Sequence, residues 1–195
     1  MRKRYLFLPL LTLALLAAGC LGRSQPPRLY VLAARAESGA AAVEEPQVVV
    51  GPIQTPAYLD RPQLVTRLDS GELAVDESNR WAQPLATSIH QVLADNIAAL
   101  TGSQRVIPAL TVRVSRGYRV IGVVSRFEAD ESGELVLEVT WTVRPIRADD
   151  GGTVQRSVYR EPAPVADPAA RVEAMNRVLL RWSQDIVAAL PGGAR

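Results

Sequence analysis

A stretch of strict two-residue alternation constrains the fold most strongly. In "ELVLEVTWTVR", residues 134–144, every second side chain is apolar and most of the others are polar. The apolar set is Leu135, Leu137, Val139, Trp141 and Val143, and the alternate set is Val136, Glu138, Thr140, Thr142 and Arg144. Because successive side chains of a strand point to opposite faces, the pattern predicts a strand with one buried and one solvated face. Another layer must therefore cover one side of the sheet.

Two helical patterns can supply that layer. The first begins at Pro84, which suits a first-turn position, and stops at Gly102. The second has Asp167 as its N-cap, Pro168 as its first residue and Pro191 beyond its end. Apolar residues recur at spacings of three and four in both, at Leu85, Ile89, Val92, Leu93, Ile97 and Leu100, and at Val172, Met175, Val178, Leu179, Trp182, Ile186 and Leu190.

Several shorter segments are rich in β-forming residues and complete the predicted sheet. These segments are "RLYVLAA" (28–34), "QVVVGPI" (47–53), a hairpin of "QLVTRL" and "ELAVDE" around residues 69–71, "ALTVRVS" (109–115), "RVIGVVSRF" (119–127), and an edge strand around Val154 and Val158. Helices and a sheet with one apolar face each can bury those faces only against one another. The predicted fold class is α+β, a single domain with a mainly antiparallel sheet packed against two amphipathic helices.

The N-terminus has the layout of an export signal. A basic cluster at residues 2–4 precedes an apolar run to Ala18, which is too short to span a bilayer, and the chain's single cysteine, Cys20, follows. "AAGC" resembles a lipobox, which would make Cys20 the lipidated first residue of the mature protein. Ordinary cleavage with a free thiol and a buried core cysteine are the alternatives. We expect a cleaved signal peptide at 1–19, a lipidated tether at 20–27 and an α+β periplasmic domain at 28–195.

Charge gives no support to nucleic-acid binding. The whole chain carries a net charge of +2, but three of its 22 basic residues lie in the first 19 positions. The remaining chain has 19 basic and 20 acidic residues, interleaved along the sequence, whereas nucleic-acid binding needs a clustered positive surface.

Catalytic and metal-binding patterns are missing from the sequence. His90 is the only histidine, and its position beside Ile89 predicts a solvated helix residue. One histidine without a cysteine partner does not make an ordinary zinc site, and neither a nucleophile elbow nor a phosphate-binding glycine loop occurs. We expect no enzyme activity, no cofactor and no metal.

One segment differs from ordinary scaffold. "GPIQTPAYLDRPQLVTR", residues 51–67, contains three prolines, which predict an irregular extended path in place of a central strand. In one interpretation it packs Tyr58 and Leu59 into the core and pairs Asp60 with Arg61 or a backbone amide. In the other it is a rigid docking edge for a partner, formed by Tyr58, Leu59, Asp60 and Arg61, because proline lowers the ordering cost of binding.

The stretches "VVVGPIQTPAYLDRPQLVTRL", "NRWAQPLATSIHQVLADNIAALTG" and "RVIP" resemble the ABC-type transport auxiliary lipoproteins. The resemblance covers the lipobox and most of the mature chain and is strongest over residues 48–108. "PAYLDRPQ" and "RWAQPL" carry it most specifically, and Gln83 stands where the family usually has an acid.

This resemblance implies an outer-membrane lipoprotein that faces the periplasm of a Gram-negative bacterium. Leu21 after the cysteine agrees with outer-membrane sorting, by analogy. Implied partners are an MCE-domain protein and the integral membrane components of an ABC-type lipid transport system. A homo-oligomer, a lipid carrier and a structural subunit of another envelope complex remain alternatives.

Overall fold

Residues 25–38, 47–109, 114–147 and 152–191 are described by a computed structural model. Within these residues, eight strands form one mixed sheet, accompanied by two α-helices and a short 3-10 helix at Ala57–Leu59. The helices are α1 (Leu85–Thr101) and α2 (Pro168–Ala188). The strands are β1 (Arg28–Tyr30), β2 (Val48–Gln54), β3 (Gln63–Arg67), β4 (Leu73–Trp81), β5 (Val106–Pro108), β6 (Tyr118–Asp130), β7 (Glu134–Pro145) and β8 (Gln155–Pro162). The α+β fold class is thereby confirmed.

The sheet is organised around its longest strand, β6. On one edge β6 pairs antiparallel with β7, which pairs antiparallel with the edge strand β8. On its other edge β6 pairs in parallel with β2 and then, at Ala129 and Asp130, with β3. β5 flanks β2, while β4 and then β1 flank β3. The two longest ladders are antiparallel, although several shorter pairings are parallel.

The core lies between the sheet and the two helices. Phe127, Trp141 and Trp182 are its largest fully buried side chains. The expected apolar face of β7 is buried at Leu135, Leu137, Val139 and Trp141. Both helix stripes point into this core, and only Leu100 among the expected positions is partly exposed.

The helix ends follow the chemistry of the local sequence. The Asp167 carboxylate accepts hydrogen bonds from the backbone N–H groups of Ala169 and Ala170, each at 3.0 Å, which caps α2. Gly102 caps α1 in the left-handed conformation at φ 64°, which costs glycine little. The sequence predicted Pro84 in the first turn of α1. In the structure Pro84 is the N-cap, one residue before the first helical residue, Leu85.

The expected strand at 28–34 is only partly correct. β1 ends at Tyr30, and the following residues cross the helices as an extended segment, which we call the strap (residues 31–36). The Oδ1 atom of Asn176 accepts from the Ala33 N–H at 3.0 Å, and Oδ1 of Asn96 accepts from the N–H groups of Arg35 and Ala36 at 2.9 and 3.0 Å. In the strap, the side-chain oxygens of Asn96 and Asn176 accept the backbone hydrogen bonds that a neighbouring strand would accept in a sheet.

The prediction that prolines exclude a central strand from residues 51–67 is wrong for its first part. β2 contains Pro52 and lies between β5 and β6. Its register with β6 shifts between Val50 and Ile53, so Pro52 lies at an irregularity where no regular ladder hydrogen bond is needed. The expected strand at 109–115 lies mostly on residues 110–113, outside the described residues.

Candidate functional site

The four residues of the expected docking edge divide into two pairs. Tyr58 and Leu59 belong to the 3-10 helix, where Leu59 is buried in the core and Tyr58 is half-buried against it. Asp60 and Arg61 are exposed, and their side chains make no hydrogen bond or ion pair with other described residues. The structure thus assigns packing to the first pair and leaves the second pair available to a partner.

Tyr58 belongs to a network around a buried carboxylate. Its hydroxyl donates to Oε2 of Glu128 at 2.6 Å, while Arg67 and Arg126 donate through Nε to Oε1 at 2.6 and 3.1 Å. The Arg67 guanidinium also lies over the Tyr58 ring, 5.3 Å from its centroid. A buried charge is tolerable only when it is paired and hydrogen-bonded, as Glu128 is here. Val136, expected on the solvated face of β7, is buried opposite Glu128.

The network changes the ionisation of its members. Burial, followed by the hydrogen bond to Glu128, raises the pKa of Tyr58 to about 12. The hydrogen bond to Glu128 likewise raises the pKa of Arg67 above its usual value. Both effects favour a neutral phenol beside a charged ion pair, so the network fixes the 3-10 helix against β3 and β6.

Two segments that are distant in the chain form one surface groove. Residues 60–62, which follow the 3-10 helix, face residues 81–84, which join β4 to α1, and together they line a cleft of about 300 Å³. The Trp81 N–H donates to the Pro62 carbonyl at 2.6 Å and holds the two segments together. We call this cleft the docking groove, with Asp60, Arg61, Pro62, Trp81, Ala82, Gln83 and Pro84 as its lining.

The wall formed by residues 81–84 is anchored to the helix that follows it. Trp81 is buried in the core and packs in the same cluster as Leu85, the first residue of α1. Nε2 of Gln83 donates to Oγ of Ser88 at 2.9 Å, so this amide braces the first turn of α1. Pro62 and residues 82–84 were missing from the expected docking edge, although both groove segments lie in the two motifs that carried the family resemblance.

His90 is a structural residue, and the prediction that it is solvated is wrong. It is buried in α1, where Nδ1 lies 2.7 Å from the Ala86 carbonyl and Nε2 accepts the Ile53 N–H at 3.0 Å. One neutral tautomer, protonated on Nδ1, satisfies both contacts. At φ +121°, Gly51 lets the backbone approach this ring, because a Cβ there would lie 2.9 Å from His90 Cδ2.

The described residues form neither a metal-binding cluster nor a large cavity beside Arg171 and Met175 in the core. They contain no group of three or more His, Cys, Asp or Glu side chains arranged to hold a metal ion. A cavity in the core beside Arg171 and Met175 has a volume of about 20 Å³, room for about one water molecule.

Of the described helices, none combines the length and the apolar character needed to cross a bilayer. Cys20 lies outside the described residues.

Solved structures share this fold. A Xanthomonas campestris protein of the DUF330 family is 20% identical, covers 82% of this chain and 92% of its own, and superposes with a TM-score of 0.66. An uncharacterized protein is 16% identical, with coverage of 83% and 97% and a TM-score of 0.63. Identities this low show the fold alone. No curated protein matches the chain.

The sequence itself matches one family model. That model describes the ABC-type transport auxiliary lipoprotein component and aligns with residues 30–187. The aligned region includes the docking groove, the Glu128 network, the whole of α1 and all of α2 except its last residue. The chain belongs to the ABC-type transport auxiliary lipoprotein family.

Proposed function

We propose that this protein is a non-catalytic subunit that docks the periplasmic end of an MCE-type lipid transport assembly at the outer membrane. As a member of its family, it is an auxiliary component of ABC-type transport. The observation that carries the proposal is the docking groove, because two motifs 20 residues apart in the chain converge on one exposed cleft. Rigid, proline-containing walls lose little entropy when a partner binds.

The proposed anchor explains how the domain stays where the assembly ends. Diacylglycerol and a further acyl chain on Cys20 would hold the mature chain on a bilayer, since each buried methylene contributes about 0.8 kcal/mol. From Cys20 to Arg28 the chain can extend about 25–30 Å. The docking groove would therefore stay close to the outer membrane on its periplasmic side.

The internal volume favours docking over carriage of a lipid. A carrier needs an apolar cavity that encloses an acyl chain, and the core cavity has room for about one water molecule. The larger docking groove is an open cleft with Asp60 and Arg61 at its rim. Native mass spectrometry of the purified lipoprotein should accordingly show no bound phospholipid beyond the covalent anchor.

The proposal is tested by co-purification of the intact lipoprotein with an MCE protein of the same bacterium. Wild type and Arg156→Glu, an exposed arginine on β8 without an ion pair, should recover the MCE protein equally. Arg61→Glu should lower recovery by about tenfold, the effect of losing roughly 1.4 kcal/mol at an interface. Failure of the wild type to recover the MCE protein in mild detergent would contradict the proposal.

A further inference from the structure

Four arginines meet at one end of the β6–β7 ribbon. Arg119 on β6 lies directly opposite Arg144 on β7 in the antiparallel register. The Ile146 N–H donates to the Gly117 carbonyl at 2.9 Å and continues the pairing past Pro145, which brings Arg116 and Arg147 to the same end. We call Arg116, Arg119, Arg144 and Arg147 the arginine end.

These arginines have no acidic partner among the described residues. Arg119 makes one long hydrogen bond, 3.4 Å from Nη1 to the Gly51 carbonyl, and the other three make none with their side chains. By contrast, Arg126 and Arg160 farther along the same sheet are both ion-paired. Like charges directly opposite on neighbouring strands repel each other, and the described residues place no acid beside the Arg119–Arg144 pair.

The opposite end of the ribbon is acidic. The turn from β6 to β7 carries Asp130 and Glu131, followed by Glu134 at the start of β7. A side-chain hydrogen bond with Asp69, from the neighbouring β3–β4 hairpin, raises the pKa of Glu131 from its usual value, so the acids of the two turns are in contact. About eleven residues of β6, roughly 36 Å of strand, separate the acidic turn from the arginine end.

The strand directions show from which side of the sheet the chain enters β1. β6 runs from the arginine end to the acidic turn, β3 is parallel to it, and β4 is antiparallel to β3. β1 is parallel to β4, so the chain enters β1 from the acidic side. The first described residues, 25–27, therefore approach the sheet from the acidic side.

We infer that the arginine end binds an acidic protein surface on the periplasmic part of the transport assembly. The inference rests on the proposed function and adds a second contact to the docking groove. Carboxylates from the partner would neutralise the Arg119–Arg144 repulsion, which no acidic side chain among the described residues compensates, and arginine is well suited to bidentate carboxylate contacts. Because the proposed function brings a periplasmic protein assembly to this domain, the occupant is a protein surface.

The first test measures thermal stability of the mature protein at low ionic strength. Arg144→Gln removes the repulsion and should raise Tm by about 1–3 °C, a difference that 0.5 M salt should remove by screening. Arg28→Gln, an exposed arginine on β1 without an ion pair, should leave Tm unchanged. A lower Tm for Arg144→Gln would overturn the inference, because it would show that acids of this chain already neutralise the arginine end.

The second test measures binding to poly-L-glutamate and to phosphatidylglycerol vesicles, using the mature chain without its acyl anchor. The double variant Arg119→Gln with Arg144→Gln should bind poly-L-glutamate about tenfold more weakly than wild type, while Arg28→Gln binds as wild type does. Vesicle binding that depends on the same two arginines, without loss of poly-L-glutamate binding, would overturn the inference in favour of a lipid surface. Self-association abolished by the double variant would overturn it in favour of a second copy.

The two proposals fail separately. If wild type does not recover the MCE protein but binds poly-L-glutamate through Arg119 and Arg144, the proposed function is wrong and the acidic-surface recognition stands. If the MCE protein is recovered equally by wild type and the double variant, the proposed function stands and the inference about the arginine end is wrong.

Discussion

His90 illustrates how one side chain can complete the backbone of a distant strand. Pro52 interrupts β2, and the Ile53 N–H that follows points to the Nε2 atom of His90 in place of a neighbouring strand. A buried N–H without an acceptor costs roughly 1–3 kcal/mol. The imidazole of His90 therefore contributes more to the stability of the fold than a solvated helix residue, which the sequence predicted at this position, would contribute.

Replacing His90 by Phe keeps a ring in the site and removes the acceptor. We expect the free energy of unfolding to fall by about 1–3 kcal/mol, measured by urea denaturation of the mature domain. Gln91→Ala, at the exposed neighbouring position, should change it by less than about 0.5 kcal/mol. Equal stability of His90→Phe and wild type would show that the Ile53 N–H finds another partner.

Tyr58 gives a prediction that depends on pH. The folded state raises the pKa of its phenol from 10.0 to about 12, so it stabilises the fold while the phenol is neutral, fully below pH 10. That contribution is lost as pH rises through 12. Tyr58→Phe should cost about 1–2 kcal/mol at pH 8, because Glu128 loses a donor, and the difference from wild type should shrink above pH 10. Denaturation curves at pH 8 and pH 11 measure both quantities, and a constant difference would contradict the assignment.

At the scale of elements, the strap follows β1 and is held against the two helices. Asn96 and Asn176 supply its hydrogen-bond acceptors, and Arg35 adds an ion pair with Glu173 at 2.6 Å. Asn96→Ala should leave the N–H groups of Arg35 and Ala36 without acceptors. Hydrogen exchange at these two amides should accelerate by about tenfold or more, corresponding to roughly 1.4 kcal/mol of local stability, while the Val139 amide in β7 exchanges as before. Unchanged protection at Arg35 would show that the strap does not depend on Asn96.

Local patterns in the sequence predicted the elements but not the contacts between distant segments. The stripes of both helices and the alternation of β7 depend on neighbours within a few residues, so they could be identified without a structure. Asn96 lies about 60 residues from the strap, and the docking groove needs the β3–β4 register to bring Pro62 to Trp81. The sequence left open whether Leu59 packs in the core or belongs to a docking edge, because exposure on an irregular segment has no periodic signal; the structure places it in the core.

At the scale of the whole molecule, the proposed function depends on anchorage at Cys20. Cys20→Ser removes the proposed site of acylation without changing a described residue. We expect this variant to leave the membrane fraction and to appear as a soluble periplasmic protein with an unchanged circular dichroism spectrum and Tm. Fractionation with intact-mass measurement checks this prediction, and a wild-type protein with an unmodified thiol would contradict it.

The parallel pairing of β1 with β4 also has a mechanical consequence. Tension between a bilayer and a bound transport assembly would act along β1 from its first residue, so the β1–β4 hydrogen bonds would be loaded in shear, together, rather than unzipped one after another. Beyond β1, the two asparagines that hold the strap would share the same load. In single-molecule force spectroscopy, the force that unfolds the domain should therefore be higher when it is applied at residue 20 than when it is applied at the C-terminal end of α2.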